Sequence, residues 1–166
     1  MKKEYPTHTI SVYIVNNPGG LMRMCQIFSR RGFNIDSLVA SPAMDGRFSR
    51  VTITAQGAAD NLKQIILQLE KLVDVVHCIE HANAEAIVRE MALVKVLFTP
   101  ETSQEILQII KHFGGKTVDL TDHSMVVECS GASGKLDAMI QLLGKYEIVE
   151  MVRSGQMLMA RGDEAT

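Results

Sequence analysis

The 166-residue chain is 46% apolar and 22% charged, which is ordinary for a globular protein and enough for one domain or two small ones. Its formal charge of −2 comes from interspersed acidic and basic residues, without the Lys/Arg run of a nucleic-acid-binding or anionic-membrane-binding surface. The composition therefore excludes an extensively disordered chain and argues against a nucleic-acid partner.

The cysteines and the lengths of the apolar runs indicate the cellular compartment of the protein. Cys25, Cys78 and Cys129 are odd in number and far apart, and they stand in segments that read as helix or strand interior, which is typical of reduced thiols. No apolar run approaches the roughly 18 residues of a membrane-spanning helix, and the first residues lack the apolar core of a signal peptide. We therefore expect a cytoplasmic protein with no membrane partner.

Hydrophobic periodicity predicts the element order βαββαβ twice along the chain. The first set comprises a strand at 8–15, a helix at 19–31, strands at 33–41 and 48–55, a helix at 59–71 and a strand at 73–81. The second set comprises a strand at 91–98, a helix at 103–113, strands at 116–121 and 125–129, a helix at 135–144 and a strand at 147–159 that is broken near Gly155. A linker near 82–86 joins them.

This order predicts an α+β chain of two tandem ferredoxin-like βαββαβ modules, each with two helices on one face of an antiparallel sheet. The predicted domains are 1–82 and 83–166. A module of about 80 residues buries a marginal core and leaves edge strands open. The segment 33–41 is an apolar edge strand in this topology, so we expect it to pair two copies of the chain in a homodimer.

The turn between the first strand and the first helix carries the strongest chemical signal. Pro18 suits the start of a helix, and Gly19 and Gly20 let a ligand approach the backbone at the positive end of the helix dipole. A carboxylate fits such a place, and the Asn16 amide can hold either pole of a zwitterion. The residues alone are equally consistent with a plain tight turn. The second module has Thr99-Pro100-Glu101-Thr102-Ser103 here, so only the first keeps the feature.

The other chemistry-bearing residues predict no catalytic and no metal site. His77 and His81 should face one side of a strand and Cys78 the other, so the three do not converge on a metal. Ser133 is interpreted as the N-cap of the following helix. Arg153 is a candidate for a partner contact or a solvated cation, as is Arg50.

Seven motifs in order make the chain resemble the small, regulatory subunit of acetolactate synthase, also called acetohydroxyacid synthase, nearly from end to end. The motifs are Asn16-x-x-Gly19-x-Leu21-x-Arg23, Phe28-Ser29-x-Arg31-Gly32-Phe33-Asn34-Ile35-x-Ser37-Leu38, Ser49-Arg50-Val51-Thr52-Ile53, Lys71-Leu72-Val73-Asp74-Val75, Arg89-Glu90 before Leu93-Val94-Lys95-Val96, Ser133-Gly134-Lys135-Leu136-Asp137-Ala138, and Ile148-Val149-Glu150 with Arg153-Ser154-Gly155.

The resemblance implies an N-terminal ACT domain, a C-terminal ACT-like domain, and a separate catalytic subunit that holds thiamine diphosphate, magnesium and FAD. This chain would have no cofactor and no catalytic residue. It would activate that subunit and confer feedback inhibition by valine or a related branched-chain amino acid. The implied effector site lies between two ACT domains and combines residues of one protomer with residues of the other: Asn16, Gly19, Gly20 and Leu21, then Asn34 and Ile35. The alternative is a free-standing ACT-type amino-acid sensor that acts on another protein.

Overall fold

The computed structural model describes residues 6–81, 86–163 and 166, and most of the predicted linker, 82–85, lies outside them. The first set of elements is β1 Thr7–Val15, α1 Gly20–Arg30, β2 Asn34–Pro42, β3 Phe48–Gln56, α2 Ala59–Leu69 and β4 Val75–His81. The second set is β5 Ala86–Leu97, α3 Ser103–His112, β6 Lys116–Leu120, β7 Ser124–Gly131, α4 Ser133–Leu143 and β8 Ile148–Arg153, followed by β9 Met157–Ala160. The predicted α+β class and the repeated βαββαβ order are confirmed.

The first sheet has the strand order β2-β3-β1-β4, and each neighbouring pair is antiparallel. β2 is therefore an edge strand, as its place in the βαββαβ order predicts. Side chains alternate between the two faces along β1 and β3, and every second residue, which is apolar, points to the face that α1 and α2 cover. The buried core on that face comprises Ile10, Val12, Ile14, Met24, Phe28, Val51, Ile53, Ala55, Leu62, Ile65, Leu69, Val75 and Cys78.

The second sheet repeats this plan with the order β6-β7-β5-β8, and β9 also pairs with β5. Its helices α3 and α4 contribute the same kind of apolar stripe to one buried core. That core comprises Ala92, Val94, Val96, Ile106, Ile110, Met125, Val127, Cys129, Leu136, Met139 and Leu143.

The strand predicted at 147–159 is two strands, with the break where the sequence predicts it. Gly155 has φ 81°, a left-handed conformation that β-strand residues do not adopt. The described residues up to Ile87 form one compact unit together with those from Gln156 onward, and Val88–Gly155 form the other. The division into domains 1–82 and 83–166, which follows the sequence repeat, stays a prediction.

The face of the first sheet away from the helices is polar yet largely covered. Thr9, Ser11, Thr52 and Thr54 point to this face and are at most 7% exposed. The Thr9 hydroxyl donates to Gln156 Oε1 at 2.9 Å, so the segment after Gly155 supplies part of the cover. The chain thus shields with its own residues part of a surface that the sequence alone leaves open.

Three separated motifs of the second unit meet in one ion-pair network. The buried Glu90 accepts hydrogen bonds from the Arg153 guanidinium and, at 2.8 Å, from the Ser133 hydroxyl. Arg153 also donates to Asp137 at 2.5 Å. Burial alone would lower the pKa of Arg153, but the bonds to the two carboxylates outweigh it and raise that pKa. Arg153 is therefore a structural ion-pair partner, and neither a solvated cation nor a free partner contact.

The same network corrects the interpretation of Ser133 as an N-cap. Ala132 occupies the N-cap position of α4, and Ser133 is its first helical residue. The Ser133 hydroxyl bonds to Glu90, a partner 43 residues away in the chain, instead of capping the local backbone. A Ser before an apolar run correctly predicts a helix start here, but its hydroxyl donates to a carboxylate that is distant in the chain.

We expect Glu90→Gln to lower the free energy of unfolding of the second unit by about 2–4 kcal/mol, because Arg153 loses its buried counter-charge. Urea unfolding of the whole chain measures the change. The matched control is Glu150→Gln, which breaks the exposed 3.9 Å pair with Lys95 and should cost at most about 1 kcal/mol. Equal losses of unfolding free energy in both variants would show that the buried Glu90 network stabilises the fold no more than an exposed ion pair does.

Candidate functional site

The turn after β1 is pinned to the hairpin between β2 and β3. The Asn16 backbone amide donates to the Arg47 carbonyl at 2.8 Å, and its side-chain Nδ2 donates to the Gly46 carbonyl at 3.0 Å. Asn17 N–H donates back to the Val15 carbonyl at 2.8 Å. These bonds hold the Asn16 amide in one orientation, and no hydrogen bond occupies its Oδ1 within the described part of the chain.

Helix α1 starts without a side-chain cap. Its N-cap is Gly19 at φ 84°, a left-handed conformation that has no Cβ penalty in glycine. Gly20 N–H donates to the Asn17 carbonyl at 3.2 Å, and Gly20 is buried so closely that an added Cβ would lie 3.3 Å from Ile14 Cδ1. The next amides belong to the exposed residues Leu21 and Met22. The turn therefore presents helix-terminal N–H groups and a partial positive charge to solvent.

The Arg23 guanidinium lies beside this turn, although Arg23 is not among the site residues that the sequence predicts. An added Cβ on Gly19 would lie 3.0 Å from Arg23 Nη1. The guanidinium is held by Asp74, with Arg23 Nε donating to Oδ2 at 2.8 Å. The signal that could have found it is its place four residues after Gly19, one helical turn on, in the first family motif.

In the corresponding turn of the second module, side-chain hydroxyls bond to the backbone of the turn. Thr99 N–H donates to the Thr102 hydroxyl at 2.9 Å, and that hydroxyl donates to the Thr99 carbonyl at 3.3 Å. The Ser103 hydroxyl donates to the Pro100 carbonyl at 3.1 Å. These bonds stay within the turn, and α3, like α1, has no side-chain cap. The two turns differ because the second carries hydroxyl side chains where the first has two glycines.

The predicted residues Asn34 and Ile35 follow a helix end that fixes their position. Phe33 N–H donates to the Phe28 carbonyl at 3.0 Å and Gly32 N–H to the Ser29 carbonyl at 3.0 Å, the paired bonds of a Schellman motif. Gly32 takes the left-handed position of the motif with φ 68°. The chain then enters β2 directly, with Asn34 exposed and Ile35 half-buried.

The structure brings together Asn16, Gly19, Gly20 and Leu21, but it places Asn34 and Ile35 at the other end of the same sheet. Through their common partner β3, Asn34 is level with Thr7, at the start of β1, whereas Asn16 follows the last residue of β1. Nine residues of strand separate the two levels, or about 30 Å at the usual rise per residue. One chain therefore does not close the predicted site by itself.

The structure does not gather His77 and Cys78 into a second site. His77 and Cys78 point to opposite faces of β4, where His77 stacks on Tyr13 and Cys78 is buried in the first core. In the part of the chain that the structure describes, no three His, Cys, Asp or Glu residues are grouped to hold a metal ion. Nor does any helix among these residues have the length and apolarity needed to cross a bilayer.

Comparison with protein families gives two matches, one in each half of the chain, that together span most of its length. Residues 10–77 match the family described as "AHAS small subunit-like ACT domain", and residues 89–162 match "Small subunit of acetolactate synthase". The first match runs from Ile10 within β1 to His77 within β4, and it includes the open turn and the start of β2.

Similar proteins match over nearly their whole length. An acetolactate synthase small subunit of Mycolicibacterium smegmatis is 37% identical over 98% of this chain and 95% of its own length. A probable acetolactate synthase small subunit of Methanothermobacter thermautotrophicus is also 37% identical, over 98% of this chain and 97% of its own. Among solved structures, the acetolactate synthase small subunit of Thermotoga maritima has a TM-score of 0.85 at 34% identity, covering 96% of this chain and 99% of that one.

We expect Gly32→Ala to lower the free energy of unfolding by about 1 kcal/mol, because alanine is strained at positive φ. The control is Gly134→Ala in α4, which should raise it by roughly 0.5 kcal/mol because alanine favours helix. An added Cβ meets nothing within 4 Å at either position, so sterics do not distinguish them. Thermal unfolding of both variants measures the difference, and a loss of the same size in both would contradict the assignment to backbone strain.

Proposed function

The chain belongs to the acetolactate synthase small-subunit family, and we propose that it regulates its enzyme through an amino-acid effector held between two copies of its first module. Membership makes it a regulatory subunit in branched-chain amino acid biosynthesis and pairs it with an acetolactate synthase catalytic subunit. In this proposal the chain performs no chemistry of its own. Thiamine diphosphate, magnesium and FAD belong to the catalytic subunit.

The open turn of the first module is the observation that carries the proposal. The effector's carboxylate lies at the uncapped start of α1, where the helix dipole favours an anion and Arg23 Nη1, beside Gly19, offers N–H donors while the rest of the guanidinium is paired with Asp74. Its ammonium group takes an acceptor such as Asn16 Oδ1, which the bond from Nδ2 to Gly46 holds in place. We propose valine, or a related branched-chain amino acid, as this effector.

The second half of the site comes from another copy of the chain. If the edge strands β2 of two copies pair antiparallel, the end of β2 in one copy lies beside the start of β2 in the other. β1 runs parallel to β2, so Asn16 of one copy then stands at the same end of the joined sheet as Asn34 of its partner. A homodimer with two-fold symmetry thus provides two equivalent sites, each made of one turn and one strand.

An effector that bridges two copies favours the dimer arrangement in which both halves of the site meet. If the catalytic subunit is activated differently by the two arrangements, effector binding changes its rate, and linkage makes the coupling reciprocal. A tenfold shift between arrangements needs about 1.4 kcal/mol of differential binding. A few charge-assisted hydrogen bonds supply that amount.

The first test is acetolactate formation by the cognate catalytic subunit alone, with this chain, and with this chain plus millimolar valine. We expect the chain to stimulate the rate and valine to reverse the stimulation. Stimulation that valine leaves unchanged would keep the partnership and contradict the effector site. No stimulation would favour a free-standing amino-acid sensor that acts on another protein.

Two substitutions at one position test the site in the same assay. We expect Gly19→Asp to raise the valine concentration for half-inhibition at least tenfold, since its carboxylate repels that of the effector and caps the same amides. Gly19→Asn introduces a side chain of the same size that tolerates the same left-handed backbone but carries no charge. It should raise the valine concentration for half-inhibition less. Each variant is compared with its own rate in the absence of valine. Equal shifts in both variants would assign the effect to the backbone instead of the charge.

Mixing two defective variants tests whether each site is shared between copies. In a mixed dimer of Gly19→Asp and Asn34→Ala chains, one site carries both lesions and the other carries neither. Unfolding and refolding the two together should restore about a quarter of the valine-binding sites, whereas each variant refolded alone should have almost none. Equilibrium dialysis with labelled valine counts the sites. No recovery in the mixture would mean that both halves of the site come from one chain.

A further inference from the structure

A groove runs along the end of α1 and the start of β2, with a volume of about 450 Å³. Its first wall is the last turns of α1, which contribute Cys25, Phe28 and Ser29. Its second wall is the chain after the helix. The residues of the second wall are Gly32, Phe33, Asn34 and Ile35.

The groove combines an apolar interior with a polar edge. Phe28 is fully buried, and Cys25, Phe33 and Ile35 are half-buried. Ser29 and Asn34 are exposed. An aliphatic amino acid has the same division, because its side chain gains from leaving water while its charged backbone groups need polar partners.

The shape of the groove is held by the fold around it. The Schellman bonds at Gly32 fix where the chain turns from α1 into β2. The Phe33 ring lies against Gly57, the residue after β3, and a Cβ added there would overlap the ring. Phe33 therefore takes its place only because position 57 has no side chain. The groove is a preformed part of the first unit.

We propose that this groove receives the branched aliphatic side chain of the effector, and that Cys25 limits the size of side chain that fits. The inference rests on the proposed function, which brings the open turn of a partner copy to the end of the sheet where Asn34 stands. The partner's turn holds the carboxylate and the ammonium group, while the groove holds the side chain. Discrimination among aliphatic amino acids then resides in α1 of the copy that contributes Asn34 and Ile35.

Cys25 also provides a direct readout of occupancy. Cys78 and Cys129 are 5% and 1% exposed, whereas Cys25 is partly accessible along the groove. Burial, with a smaller effect of the Glu70 charge, raises the pKa of Cys78 to about 12, and burial also raises the pKa of Cys25. A thiol reagent at alkaline pH therefore modifies Cys25 in the folded chain far faster than the other two. A Cys25→Ser variant confirms the assignment by losing this reaction.

The test measures the rate of Cys25 modification in the intact chain with saturating valine and with saturating alanine, while equilibrium dialysis reports binding of each amino acid. We expect bound valine to slow modification at least tenfold and bound alanine, whose side chain is a single methyl group, to slow it less. We also expect Cys25→Phe, which fills the groove, to weaken valine binding at least tenfold, and Cys25→Ala to shift preference toward leucine. Gln26→Phe is the matched control, since it adds the same ring at an exposed position of α1.

The outcomes separate this inference from the proposed function. If valine binds the unaltered chain but neither protects Cys25 nor responds to Cys25→Phe, the groove is not the side-chain subsite and the proposed function stands. Protection without a change of preference in the Cys25 variants would mean that valine acts on the groove from a distance, which also overturns the inference. If valine does not bind the unaltered chain, the proposed effector site fails and the groove assignment fails with it.

Discussion

The antiparallel register of one four-stranded sheet constrains everything that this protein is proposed to do. Because β1 and β2 both pair with β3, they run parallel, and the end of β1 lies at the opposite end of the sheet from the start of β2. A ligand that touches both ends therefore needs two chains. Within the described sheet, β2 has no partner strand on its outer edge, and this edge would allow two chains to meet in the required orientation.

The two modules share a fold and differ in how their first helix begins. In the first module the helix starts at two glycines without a side-chain cap, and an arginine held by Asp74 stands beside it. In the second module Thr99 and Thr102 bond to each other across the same turn. Neither helix start has a side-chain cap, so the difference lies in the turn itself: glycines beside Arg23 leave room for a ligand in the first module, and hydroxyl side chains bonded within the turn occupy that place in the second. The second module instead uses its polar residues internally, around Glu90 and Arg153.

Much of the fold follows from local patterns. Alternating residues predict β1 and β3, apolar stripes predict the four helices, and the glycines after α1 and α3 mark where these helices end, within one or two residues. Local sequence patterns predict the role of a side chain less well where its partner is distant in the chain. Ser133 carries the signal of an N-cap but bonds to Glu90, and Arg153 is paired by Glu90 and Asp137. The early start of β5 at Ala86 also escapes a pattern that depends on strict alternation.

By itself the sequence determined the repeated βαββαβ order, the glycine turn that suits a carboxylate, and the family to which these motifs belong, because these depend on spacing within short segments. Only the tertiary structure decided that Asn16 and Asn34 stand at opposite ends of one sheet, that Arg23 lies over the turn, and that Phe33 and Cys25 border one groove. Those relations join residues that are distant in the chain or on different elements. Strand register and helix packing determine these relations, and neither can be predicted from a single segment of the sequence.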